Sequence, residues 1–509
     1  MFSTSDLAQV KKHELTTDLI DYQLDKFRNG FPSTSLYAPA LENSGLQKLN
    51  TSEIEEILES YEALTEEYDL LKFVPASGAA TRMFKTLFAF LGDYKGTEED
   101  YEKMIADQGS GSIFTFFKNL EKFAFYEDLK EAYSGLDSLE EAHVKREYVK
   151  ILEALLSDKG LDYGSLPKGL LRFHPYENEN RTPVEEHIVE GAQYAKQADG
   201  TVQLHFTVSP DHMEKFKAHI EDVRSKYESK YEVKLSVSYS IQKTSTDTIA
   251  VDMESEPFRN EDGSILFRPA GHGALLENLN DISADVVFIK NIDNVVPDHM
   301  KSDTIKYKKV IGGLLLKYKA QIHETYNSLD NGGSIEEAIN LLENLGLKPS
   351  DLFATMDDEE KIDYLKTKLN RPIRVCGMVK SEGDPGGGPF WVKSADGSVS
   401  LQVVETAQID LTDEEQNRVF NEATHFNPAD IVCYLKDIDG NEFDLMNFRD
   451  PDTGFVTKKS KDGKDLQAQE LPGLWNGSMA DWNTVFVEIP VVTFNPVKSV
   501  NDLLKPEHS

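Results

Sequence analysis

Val286-Val287-Phe288-Ile289 is an unbroken apolar run that stops at Lys290-Asn291-Ile292-Asp293-Asn294, and it follows the turn Arg268-Pro269-Ala270-Gly271-His272-Gly273. A short run of this kind fits a strand buried on both faces, the strand of a parallel or mixed sheet with helices packed on it. In open α/β sheets the ligand lies outside the carboxyl ends of the strands. An acid ejected there, Asp293, is placed to hold a metal ion against a crevice-bound phosphate. The glycines upstream give the backbone the freedom of a tight turn entering a helix.

A chain of 509 residues exceeds the usual size of one hydrophobic core, so two or three domains, or one core with large insertions, are expected. A hydrophobic content of 39%, with aromatics along the whole length, argues for a globular protein. Asp and Glu number 89 against 54 Lys and Arg, a formal charge of −35 that repels nucleic acid and anionic membranes. Neither is expected as a partner. A small anionic substrate stays compatible, because a few local cations and a bound metal dominate a cleft whatever the outer surface carries. Cys376 and Cys433 are the only cysteines, too few for a disulfide framework and without zinc spacing, which fits a reducing compartment. The first residues lack a basic region followed by an apolar core, and no stretch approaches the roughly 20 apolar residues that span a bilayer. A cytoplasmic location is expected.

Residues 1–70 show apolar positions at helical spacing, as in Ile54, Ile57, Leu58 and Tyr61, and predict an N-terminal helical layer. Leu71 to Val74 reads as a strand, Pro75 to Ala80 as a small-residue loop and Thr81 to Phe88 as a helix. Residues 91–160 read as a helical insertion with the apolar stripe Phe114, Phe116, Phe117, Leu120 and Phe123. Strands at Leu204–Val208, Lys234–Tyr239 and Val286–Ile289 alternate with helices such as Pro210–Lys226, which predicts βαβ units and an α/β core over 71–300 with a mixed, mostly parallel sheet. A second helical insertion is expected over 301–370 and a β-rich region over 371–509, punctuated by Gly386-Gly387-Gly388.

The loop Ser77-Gly78-Ala79-Ala80-Thr81 offers small residues where backbone N–H groups can approach a phosphate, and a helix starting near Thr81 adds partial positive charge. Arg82 adds a bidentate phosphate contact. The bland alternatives are a turn chosen for close packing at the loop and a turn cap at Asp293.

Taken in order, the loop with Thr81-Arg82-Met83, then Leu166-Pro167-Lys168-Gly169-Leu170-Leu171, then a helix opened by Thr182-Pro183-Val184-Glu185, resemble the nucleotide-sugar pyrophosphorylases, sugar nucleotidyltransferases of Rossmann-like GT-A type. The resemblance implies that Arg82 and Lys168 contact the phosphates. The Pro-x-Gly-x-Gly turn and the Asn291-Ile292-Asp293-Asn294 strand end narrow it to the UDP-sugar pyrophosphorylase branch. There the resemblance places Gly271, His272 and Gly273 on the nucleotide base, Asp293 on Mg²⁺ and Gln242 near the base. Val403-Val404-Glu405 implies a sugar-binding Glu405, and His425-Phe426-Asn427-Pro428 implies a sugar-binding Asn427. Phe494-Asn495-Pro496-Val497-Lys498 implies that Lys498 reaches a phosphate. The whole chain resembles the family catalogued as domain of unknown function 4301.

Ala80 stands where the pyrophosphorylases carry a second glycine, and its methyl group is expected to weaken nucleotide binding. The implied activity joins UTP to a sugar 1-phosphate with release of pyrophosphate. Two alternatives stand beside it. One is a GT-A glycosyltransferase, which usually carries an Asp-x-Asp pair where this chain has Asn291. The other is a catalytically inactive nucleotide-binding or scaffold protein. The identity of the sugar and the oligomeric state stay open.

Overall fold

The apolar run Val286–Ile289 is a strand with every residue buried, and its register sets out the first of two compact units. It lies antiparallel to His425–Tyr434, with Val286 opposite Tyr434 and Ile289 opposite Ile431. His425–Tyr434 is in turn antiparallel to Ile373–Lys380, where the register shifts between Gly377 and Val379. From there the sheet continues in parallel through Asn483–Glu488, Gly45–Gln47 and Leu41–Glu42. The computed structural model of the protein describes residues 2–78, 80–133, 138–381, 383 and 387–509. Together they form a mixed α/β protein, as the alternation of strand and helix patterns predicts.

This unit comprises Met1–Leu71, Gln242–Ile289 and Lys309–Val491. Its helices Thr4–Lys12, Thr17–Asn29 and Thr51–Thr65 each start on a side chain, Ser3, Thr16 or Asn50, that accepts an otherwise unpaired N–H of the first turn. Residues 36–47 depart from the predicted helical layer and form the short strands Leu36–Pro39, Leu41–Glu42 and Gly45–Gln47. Asn43 and Gly45 take positive φ, 65° and 95°, which breaks any helix there. Two further sheets complete the unit. One orders Leu36–Pro39, Gly388–Lys393, Val399–Val404 and Leu347–Lys348, and the other Phe267–Arg268, Thr248–Val251, Lys464–Glu470 and Phe455–Lys461.

The second unit comprises Lys72–Ile241, Lys290–Lys308 and Val492–Ser509. Thr201–Thr207 and Lys234–Ser240 pair in parallel across the whole of both strands, joined by the helix Met213–Tyr231. Val74, Val184, Ile188, Leu204, Phe206 and Phe216 are buried in one apolar cluster beside them. Among the described residues of 85–156 the chain runs through six α-helices, and Phe116, Phe117, Leu120 and Phe123 of the predicted stripe enter their core. Phe114 is only partly buried, and the Lys118 ammonium lies 5.6 Å from its ring centroid. Val497, Val500 and Leu503 belong to the same core, so the C-terminal segment is packed against the helical insertion. The units are discontinuous in sequence, whereas composition shifts mark boundaries near 70, 300 and 370. Among the described residues, no helix is long and apolar enough to cross a membrane.

Candidate active site

Within the second unit, four segments far apart in sequence are tied to one another by hydrogen bonds. Lys168 Nζ lies 2.8 Å from Asp293 Oδ2 and donates to the Val497 carbonyl at 2.7 Å. Lys498 Nζ lies 3.4 Å from the same Asp293 oxygen. The backbone closes the constellation, since Val497 N–H donates to Asp293 O and Val500 N–H to Met83 O. Lys168 N–H reaches Gly78 O and Ala80 N–H reaches Leu166 O. The predicted Arg82, Lys168, Asp293 and Lys498 therefore lie on segments that the fold brings together.

Asp293 is buried, at 7% exposure, while the Lys498 side chain is 62% exposed. Burial raises the Asp293 pKa, but the Lys168 and Lys498 ammonium groups outweigh it and hold the carboxyl below its ordinary value. The group is an anion that fixes two cations. Arg82 is exposed, and its guanidinium has no hydrogen-bond partner among the described residues.

The loop ahead of Arg82 differs from expectation in two respects. Ala80–Arg82 is a 3₁₀ turn, because Met83 and Phe84 N–H both bond to Ala80 O, and the α-helix starts only at Lys85. The helix terminus expected near Thr81 thus lies about a turn further on. Ala80 is fully buried and its N–H is spent on Leu166, so it serves packing rather than a phosphate. Ser77 is half-buried and Gly78 and Thr81 are exposed. Ala79 lies outside the described residues, as does Gly386 of the Gly386-Gly387-Gly388 stretch.

The other predicted site residues are in the first unit, where the His272 turn forms a cluster of its own. Gly271 takes φ +77°, and a Cβ at Gly273 would fall 2.1 Å from Pro472 O, so the turn admits only glycine there. Leu474 N–H donates to His272 Nδ1 at 3.0 Å, which leaves the ring proton on Nε2, 3.4 Å from Glu405 Oε1. Trp475 stacks on the His272 ring at 4.2 Å, and Asn476 Nδ2 donates to Glu405 Oε1 at 2.7 Å. Burial raises the Glu405 pKa, but hydrogen bonds from His272 and Asn476 carry it below its ordinary value. Glu405 is 27% exposed in its side chain and remains open to a ligand on one side.

Gln242 and Asn427 stand apart from this cluster in what their side chains do. Gln242 makes a long contact of 3.5 Å to Thr246 Oγ1. Asn427 is buried, donates to Gly377 O and accepts from Ala429 N–H, so its carboxamide shapes the irregular register beside Gly377. Trp475 and Asn476 were not legible as site residues, since only the folded chain sets them against His272.

Among the described residues, no group of three or more His, Cys, Asp or Glu side chains is arranged to hold a metal ion. A single carboxylate still suits Mg²⁺, which commonly takes one or two protein carboxylates and completes its shell with substrate phosphates and water.

The family model described as "Domain of unknown function (DUF4301)" matches residues 3–509, and the chain belongs to that family. No curated protein matches the chain. Among solved structures it is similar to the UDP-glucose pyrophosphorylase of Leishmania major, at 12% identity over 99% of this chain and 79% of that one, with a TM-score of 0.43. It is also similar to a uridine diphosphate N-acetylglucosamine pyrophosphorylase of Trypanosoma brucei, at 12% identity over 98% of this chain and 76% of that one, with a TM-score of 0.47. A UDP-glucose phosphorylase of Trypanosoma brucei is 13% identical over 98% of this chain and 77% of that one, with a TM-score of 0.43.

Proposed function

From the motifs of the sequence and the chemistry of the Asp293 cluster, we propose that the chain is a sugar-1-phosphate nucleotidyltransferase that joins UTP to a sugar 1-phosphate and releases pyrophosphate. The observation that carries the reading is the convergence of Lys168 and Lys498 on one buried carboxylate, with the exposed Arg82 on an adjoining segment. Two ammonium groups held by an anion, beside a third free cation, form a receptor for a polyphosphate.

A phosphate oxygen of the sugar 1-phosphate attacks the α-phosphorus of UTP in line. The new P–O bond forms as the bond from the α-phosphorus to the bridging oxygen of the β-phosphate breaks, and the electron pair leaves with pyrophosphate. The attacking phosphate is already ionised, so no general base is required, and catalysis rests on positioning and charge neutralisation. Lys168 and Lys498 balance the charge that gathers on the leaving group, and Asp293 holds both in place. Arg82 orients the phosphates through its planar fork. Asp293 would also hold Mg²⁺ together with substrate phosphates, and the ion would supply Lewis-acid withdrawal of charge from the phosphate oxygens. Ser77, Gly78 and Thr81 line the phosphate approach. The resemblance assigns the base to Gly271, His272 and Gly273 and a sugar hydroxyl to Glu405.

The test is to offer UTP, GTP, CTP, ATP and dTTP, each with a panel of sugar 1-phosphates and Mg²⁺, and to measure pyrophosphate. Release with UTP and at least one sugar 1-phosphate is expected. Silence with every pair overturns the reading.

A further inference from the structure

The Thr182-Pro183-Val184-Glu185 opening marks a helix, Pro183–Tyr194, that the proposed reaction does not use. It is buried along its length, and yet Glu186, His187 and Glu190 on it are each 0% exposed. Charged side chains are almost never fully buried unless paired. Each has a partner on the segment that carries Asp293, and Glu186 also pairs with His174 at 2.9 Å. Glu190 Oε1 is 2.9 Å from Lys290 Nζ, and its other oxygen is 2.8 Å from the buried Lys72 Nζ. His187 Nε2 is 3.2 Å from Ile292 O, and Glu186 pairs with Lys301, whose ammonium also reaches Val296 O. The contacts bracket Asp293 on both sides in sequence.

Burial and the Lys72 ammonium keep His187 neutral, with a pKa well below the usual histidine value, so the Nε2–H is a donor to Ile292 O. Ion pairs buried this deeply do little for stability, because apolar replacements of similar volume are often as good or better. The cost of desolvating two acids and their lysines therefore points to placement as their purpose.

We propose that Glu186, His187 and Glu190 are positioning residues that set the Asp293 carboxylate, an inference that rests on the role given to Asp293 above. They touch no substrate. They act through the backbone of 290–301, where a misplacement on the order of 1 Å costs about 100-fold in rate.

The test uses the full chain with His187→Leu, His187→Gln and the apolar triple K72M/E190L/K290M. Amide hydrogen exchange over 291–295 is read first, because it needs no turnover, and kcat and KM for UTP are read second. H187L and the triple variant are expected to exchange faster over 291–295 while keeping the melting temperature. For H187L, kcat should fall about 100-fold with KM for UTP little changed. His187→Gln restores an N–H donor to Ile292 and should recover most of both signals. Exchange like wild type in H187L and the triple variant, or a glutamine variant no better than the leucine one, overturns the proposal. If the wild type releases no pyrophosphate, the catalytic reading fails and the exchange result alone decides the positioning role.

Discussion

The Asp293 cluster and the His272 cluster are both built around a carboxylate and a small-residue turn, but they are held by different forces. Asp293 is buried and clamped by two ammonium groups, whereas Glu405 is partly open and held by an imidazole and a carboxamide. The turns differ in the same way. Gly78 has open space where a Cβ would go, while Gly273 has the Pro472 carbonyl 2.1 Å from that point. One cluster is specified by charge and hydrogen bonds, the other by steric fit and stacking on Trp475. Fixed charges suit a site that must meet phosphates in a set geometry. A stacked, half-open cluster suits neutral hydroxyls and ring faces, where one hydrogen bond more or less adjusts preference.

Substitutions should separate the two. The largest effect is expected for D293N, which releases both lysines from their anion and should lower pyrophosphate release by on the order of 10³-fold in steady-state assays. K168M removes one ammonium and leaves Lys498, so kcat should fall about 10²-fold with binding of UTP weakened as well. Glycine replacements sharpen the contrast in stability rather than rate. G273A should cost about 1–3 kcal/mol in denaturant unfolding, and G78A close to nothing. Equal effects would erase the distinction between the turns. E405Q should raise KM for the sugar 1-phosphate roughly tenfold with little change in kcat, as expected when one charge-assisted hydrogen bond is weakened.

A last, smaller effect tests the charge argument by pH. The Asp293 carboxyl has a folded pKa below its unfolded value, so its contribution to stability is present above the unfolded pKa, about 4. That contribution is lost as the pH falls through the folded value. Wild type should therefore melt above D293N at neutral pH, and the gap should close on acidification below about 4. A gap independent of pH would show that the ion pairs contribute nothing.

The buried strands and the alternation with helices were legible because apolar runs and periodicity are local signals. The residues that make the Asp293 cluster were legible only as motifs. Lys168 and Lys498 stand 125 and 205 residues from Asp293, and no periodicity reports that they meet. Residues 36–47 were misread as helical because spacing hides the positive φ of Asn43 and Gly45. Ala80 and Asn427 stand at motif positions, Ala80 in place of a glycine, and the backbone N–H of Ala80 and the carboxamide of Asn427 are bonded within the protein, which sequence does not reveal. Glu186, Glu190, Lys72 and Lys290 were the least legible. Charged residues are read as solvated by default, and only the fold shows that these four are buried against one another or against Lys301 and His187.

The most direct measurement places wild type and D293N side by side with UTP, sugar 1-phosphates and Mg²⁺, and follows pyrophosphate and nucleotide sugar together in a single turnover. Stoichiometric formation of both products by the wild type, and neither on that timescale by D293N held well below its own melting temperature, is the predicted result. Full product formation by D293N would contradict the account.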